Sequence, residues 1–116
     1  MTLTLYGLKT CDTCRKALKA LAAAGHEAVF VDLRGEADLV ATLPGWLGAV
    51  GPRTLVNRAS TTWRGLSDAE RAEAETPEGA KGLLLAYPAL IKRPVIEANG
   101  RIFIGFSAET RSALGV

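Results

Sequence analysis

The opening third of the chain leaves few folds open, because it reads as strand, helix, strand with almost no slack between them. Residues 2–6, TLTLY, alternate and are rich in β-formers, which predicts a short strand. Gly7 to Thr10 follow as a loop. From Asp12 to Ala24 the period changes. Leu18, Leu21 and Ala22 recur at helical spacing, and Ala17, Ala20, Ala23 and Ala24 add propensity. Gly25 supplies the stop. Residues 27–33, EAVFVDL, read as a second strand with Val29, Val31 and Leu33 on one face. A right-handed strand–helix–strand unit makes its two strands parallel, so the chain starts as an α/β layer.

The remainder extends that layer. Residues 36–50 read as helical but broken near Pro44, since proline suits the first turn of a second short helix. Residues 54–66 read as an ordered connection. Ser67-Asp-Ala-Glu70 has the form of a capping box and opens a helix over about 67–74. Thr76-Pro77 opens another that runs through Leu83–Leu85 to about Tyr87. Asn99-Gly100 between two β-rich runs predicts a hairpin of residues 95–97 and 101–104. Ser107 caps a last helix over 108–114. The hairpin makes the sheet mixed.

Bulk properties narrow the function classes. At 116 residues the chain suits one domain with its own core. Fourteen basic residues against twelve acidic ones leave a net charge of +2, too balanced to point to nucleic acid or a membrane surface as the main partner. No stretch approaches the roughly 20 apolar residues of a membrane span. The start, MTLTLYGLKTC, lacks the basic and long apolar parts of a secretion signal. The expected location is the cytoplasm, where paired cysteines are more often catalytic, sensing or metal-binding than structural.

The two cysteines, Cys11 and Cys14, stand three apart where the first loop enters the first helix. The thiolate is the reactive form. Cys11 falls at about the helix N-cap, where free N–H groups and the positive dipole end favour negative charge. Arg15, one turn on, and Lys16 add positive potential. Cys14 lies a turn further in and more sheltered. Cys11 is therefore the attacking thiol and Cys14 the resolving one in a redox reading. Other readings stay open. Zinc needs about four ligands, and His26 is the one remaining nitrogen donor. A structural disulfide here would close a tiny loop and restrain little. Cys14 as a small buried hydrophobe is the third.

The succession of a strand, CDTCRKA, a helix, NRASTTWRGL, YPALIKRPVI and GFS resembles the ArsC/Spx, or arsenate reductase-like, family in its YffB-like branch. The resemblance covers nearly the whole chain. It implies a thioredoxin-like (glutaredoxin-like) three-layer sandwich with a mixed four-stranded sheet and a helical insertion, as a single domain over residues 1–116. It places the family's catalytic cysteine on Cys11, its helix arginine on Arg15, two oxyanion-binding arginines on Arg58 and Arg93, and the cis-proline on Pro94. Two positions depart from arsenate reductases: Gly7 stands where a histidine precedes the cysteine by four, and Gly105 stands where a third arginine falls. Cys14 is a second thiol that single-cysteine members lack.

The expectation is a cytoplasmic thiol–disulfide oxidoreductase with no bound cofactor and glutathione as co-substrate. Glutaredoxin or thioredoxin are further partners, and the chain acts as a monomer. Guanidinium forks at Arg58 and Arg93 suit an arsenate or a glutathione carboxylate; surface solvation is the alternative for each. Two rivals accompany this. One is glutaredoxin-coupled arsenate reduction, disfavoured by Gly7 and Gly105. The other is an Spx-like redox regulator binding RNA polymerase, whose relatives continue past the last helix. His26 is expected at the surface, Trp46 and Trp63 in or over the core.

Overall fold

The computed structural model describes residues 2–116, which gather into two compact units. The first runs to Ala37 and resumes at Arg93–Val116; the second is Asp38–Lys92.

The first unit holds the sheet. Strands β1 (Thr2–Gly7), β2 (Glu27–Asp32), β3 (Val95–Ala98) and β4 (Arg101–Ile104) lie in the order β2-β1-β3-β4. β1 and β2 are parallel, with Leu3 opposite Ala28 and Leu5 opposite Phe30. β3 is antiparallel to both β1 and β4. The predicted hairpin turn is present, with Asn99 at φ 50° and Gly100 at φ 75°, the left-handed pair that a two-residue turn requires. Helix α1 (Asp12–Ala23) connects β1 to β2, and α7 (Ala108–Leu114) follows β4 under the predicted Ser107 cap, whose oxygen accepts from the Thr110 N–H.

One sheet face carries the core. Leu3, Leu5, Ile96 and Ala98 meet Cys14, Ala17 and Leu21 of α1 and Leu114 of α7, with Ala28 and Phe30 packed at the edge. Positions 14, 17 and 21 follow the i, i+3, i+7 stripe of a helix buried on one side. Truncating a residue such as Leu21 to Ala would cost about 2–5 kcal/mol. Val29 and Val31 do share a face, but it is not this one: Val29 is 53% exposed. Period-2 alternation says which residues go together and leaves open which set is covered. On the opposite face the Tyr6 hydroxyl donates to Glu97 Oε1 at 2.9 Å.

The second unit is the helical insertion: α2 (Leu39–Val50), α3 (Pro52–Leu55), α4 (Thr61–Arg64), α5 (Asp68–Glu73), α6 (Pro77–Ala86) and a 3-10 turn, Pro88–Leu90. Both predicted caps are present: the Ser67–Glu70 capping box on α5, and Thr76 accepting from Gly79 N–H on α6. The expected break at Pro44 is absent, and α2 runs through it. Leu39, Leu43, Trp46 and Leu47 form one buried stripe that only a continuous helix supplies. Pro44 lies on the exposed side, as does Val40, the residue four before it whose carbonyl a proline cannot supply with an N–H. The connection over 54–66 contains α4 and the end of α3 as two single turns. It is pinned by a Val56–Ile91 bridge and by the Lys92 N–H donating to Leu55 O. Trp46 is buried core as expected.

No helix among the described residues is long and apolar enough to cross a membrane.

Candidate active site at the start of the first helix

Cys11 is the N-cap of α1, with an extended backbone of φ −83° and ψ 118°. Its N–H closes a turn onto Leu8 O at 3.0 Å, and its carbonyl accepts the first helical bond, from Arg15 N–H at 3.1 Å. The loop before it is tied to the sheet end, because Gly7 O accepts from Leu33 N–H at 3.0 Å. β1 therefore delivers the chain to one fixed place, and the helix begins at the sulfur. That sulfur closes no tight cap on the first turn.

The two thiols have opposite surroundings. Cys11 is half-buried and Cys14 fully buried. Burial alone would push the Cys11 thiol up. The Cys14 N–H, the Cys14 thiol and the Arg93 guanidinium all aim hydrogens at its sulfur, the guanidinium adds its charge, and together they hold Cys11 below the ordinary thiol range. Cys14 is pushed up to about 11, first by burial and then by the neighbouring Cys11 sulfur, against a Leu8 N–H and the Arg93 charge that pull it down. In the charged state Cys11 carries the negative charge and Cys14 keeps its proton, as a donor toward it.

Gly7 makes room for this arrangement. A Cβ at position 7 would stand 2.5 Å from Cys14 Sγ and 3.2 Å from Cys14 Cβ. The Cys14 side chain thus occupies the space that any side chain at position 7 would need. Beside Cys14, a small pocket of about 150 Å³ is lined by Leu8, Leu18 and Phe30 with Lys9 and Arg15 at its edge.

The arginines divide. Arg93 is half-buried in the loop before β3, in the same unit as the thiols and 82 positions from Cys11 in the chain. The bond from Arg93 to Pro94 is cis, and the buried Pro94 accepts from the Gly105 N–H at 2.8 Å through its carbonyl. Arg15 lies at the edge of the pocket beside Cys14. Its side chain is 61% exposed and forms an ion pair with Asp12. The cation whose hydrogen bond and charge reach the Cys11 sulfur is Arg93. The Asp12–Arg15 spacing of three residues was the signal available in the chain, since that spacing brings side chains together on a helix. Arg58 belongs to the second unit. Its guanidinium lies 5.4 Å from the centre of the Trp63 ring and 3.4 Å from Glu75, which Arg53 also approaches at 3.8 Å. Trp63 is half-buried beneath that cation.

His26 is not a free surface residue. It is half-buried, and its Nε2 lies 2.9 Å from Leu114 O, which ties the α1–β2 turn to the end of α7. Among the described residues no three His, Cys, Asp or Glu side chains gather closely enough to hold a metal ion.

The chain is similar to several known proteins over nearly its full length. A protein of Haemophilus influenzae is 37% identical over 111 residues, covering 96% of each chain. The solved YFFB protein superposes with a TM-score of 0.86 at 37% identity, covering 97% of both chains. An arsenate reductase (ArsC) related protein from Brucella melitensis gives 0.78 at 37% identity, covering 97% of this chain and 93% of that one. An arsenate reductase from Vibrio cholerae gives 0.71 at 19% identity, over 98% of both, a likeness of fold. These relatives share the thioredoxin-like α/β architecture with its mixed four-stranded sheet. The ArsC family model matches residues 6–114, from the end of β1 through the cysteines to the last helix, so this chain belongs to the ArsC family.

Proposed function

We propose that this chain is a thiol–disulfide reductase of the ArsC family that works through a Cys11 thiolate and draws electrons from glutathione. The observation that carries the reading is the opposed pair at the start of α1: one thiol held down by Arg93 and hydrogen bonds, the other held up by burial. A depressed, half-exposed thiol beside a guanidinium is the arrangement of a nucleophile. The name of the Brucella melitensis relative, an arsenate reductase related protein, supports the same class.

In the first step the Cys11 thiolate attacks one sulfur of a disulfide. A Cys11–S–S–R bond forms, and the other R–S⁻ leaves with the electron pair and takes a proton. A second thiolate then attacks the Cys11 sulfur and expels the remaining R–S⁻. That thiolate comes from glutathione or from Cys14 after it loses its proton. In the glutathione route a second glutathione attacks the glutathionyl sulfur, frees the Cys11 thiolate and leaves as glutathione disulfide. In the Cys14 route two glutathiones in turn open the Cys11–Cys14 bond, the first forming a mixed disulfide and the second releasing glutathione disulfide. Either way two glutathiones are oxidised for each disulfide reduced. Arg93 holds the thiolate ready, and Pro94 and the β1 loop fix the cleft. Glutaredoxin or thioredoxin would serve as protein partners for the same exchange.

A second reading, arsenate as the oxidised substrate, is favoured by the guanidinium of Arg93 beside the sulfur, since such a fork binds oxyanions. Gly7 and Gly105 lack the groups that the resemblance associates with that chemistry, so its expected turnover is slow.

Mass spectrometry of the protein mixed with glutathione disulfide tests the main reading. The expected product is a glutathionyl adduct on Cys11 or an internal Cys11–Cys14 bond, with neither in Cys11→Ser. Unmodified wild-type protein, or equal adduct in Cys11→Ser, would overturn it.

A further inference from the structure

A groove of about 480 Å³ runs along α1 in the first unit, away from the 150 Å³ pocket beside Cys14. Lys16 and Lys19 line it on α1, and Arg111 lines it on α7. The Arg111 guanidinium sits 5.3 Å from the centre of the Phe106 ring, which with Ala20 and Ala23 supplies apolar surface. At one end stands Thr13, one of the two residues between the cysteines and two positions from Cys11.

Three cations around one groove repel one another. None of them pairs with a carboxylate among the described residues. The acids of the two helices do not relieve them, because Asp12 is engaged by Arg15 and neither it nor Glu109 lines the groove. The chain as a whole is nearly neutral, so this is a local concentration of charge and not a general basicity. The combination of uncompensated cations, an aromatic ring and small alanines fits a polypeptide that carries carboxylates with an apolar side chain among them.

We propose that this groove docks an acidic segment of the protein disulfide that Cys11 attacks. The partner chain lies along α1 from Thr13 toward Ala23, which leaves its cysteine at the helix start. The proposal rests on the Cys11 reading for its chemistry, and the binding itself does not depend on that reading. Electrostatic attraction of this kind raises association rates by about 10-fold or more and fades with salt.

The test uses three short peptides, each with one cysteine joined to 5-thio-2-nitrobenzoate, and with glutamates, serines or lysines beside a phenylalanine. Cys11 attacks the peptide sulfur, a new S–S bond forms, and the coloured thiolate leaves with the electron pair. At low salt the acidic peptide is expected to react about 10-fold faster than the neutral one, and the basic one slower. In the folded triple variant Lys16→Gln, Lys19→Gln, Arg111→Gln the ratio of acidic to neutral rates is expected to fall to about one, whatever the neutral rate becomes. A parallel titration of Cys11→Ser with the acidic peptide lacking its thiol reads docking alone, with a salt-dependent affinity lost in the triple variant. Equal rates and affinities for all three peptides, or an acidic preference that survives the triple variant, would overturn the docking surface. Failure of the thiol reading has a different signature, colour release that Cys11→Ser does not diminish at any peptide charge.

Discussion

At the scale of single residues, the chemistry rests on Arg93, Cys11, Cys14 and Gly7. Removing the guanidinium in Arg93→Ala takes away both a hydrogen bond and a positive charge from the Cys11 sulfur. The midpoint of Cys11 alkylation against pH is expected to move up toward an ordinary thiol. The reaction rate near neutral pH should fall by roughly an order of magnitude, the scale of one charge-assisted hydrogen bond at about 1.5–3 kcal/mol. Iodoacetamide kinetics across pH check this, and an unmoved midpoint would remove Arg93 from the site. Arg15→Ala, by contrast, is expected to leave the midpoint in place, because that side chain is turned to Asp12. Gly7→Ala places a Cβ 2.5 Å from Cys14 Sγ, an overpacking that should cost about 1–3 kcal/mol. Cys14→Ala in the same chain should recover most of it. A denaturant double-mutant cycle reads the coupling, and additive costs would show that the two positions do not compete for space. The position of Cys11 at the N-cap was legible in the sequence, since a loop after a strand has to end where the helix period begins. The identity of its cation was not. A residue 82 positions away reaches the sulfur by tertiary packing, which no local spacing encodes.

At the scale of elements, the helices of the insertion show where local signals suffice and where they are overruled. The Ser67–Glu70 box satisfies orphan N–H groups at the start of a six-residue helix. Ser67→Ala is expected to cost about 1 kcal/mol in urea unfolding, and no change would mean that α5 is held by packing alone. Tyr87 adds one such contact by donating its hydroxyl to Glu70 Oε2 at 2.9 Å. Pro44 is the opposite case. Proline chemistry argues for a break, yet the stripe of Leu39, Leu43, Trp46 and Leu47 buries enough surface to keep the helix whole. Pro44→Ala restores the N–H that can reach the Val40 carbonyl, and it is expected to stabilise by about 1–2 kcal/mol in the same measurement. Caps and turn pairs could be read from two to four adjacent residues. The continuity of α2 and the buried face of β2 depend on what covers them, which is not local information.

At the scale of the molecule, connection rules supply two pairings, β1 parallel to β2 and β3 antiparallel to β4, while the joining of the hairpin to β1 and hence the order β2-β1-β3-β4 come from tertiary packing. Stability against pH carries the imprint of the site. Cys14 keeps its proton up to about 11 in the folded chain, whereas an unfolded cysteine loses it near 8.5. The contribution is thus complete below about pH 8.5 and is lost as pH rises toward 11. The total is on the order of 3 kcal/mol. Tyr6, pushed up to about 12 by burial and by its bond to Glu97, acts in the same sense at higher pH. The comparison that isolates the thiol is Cys14→Ala, which should flatten the fall between pH 9 and 11. An identical slope in both proteins would assign the loss elsewhere.

The contest between positions 7 and 14 also orders any stepwise history of this site. A chain carrying histidine at position 7 cannot acquire the Cys14 side chain as placed here, because the two would overlap. The reverse order passes through a void, whose cost grows gradually with its volume and can be tolerated while neighbours relax.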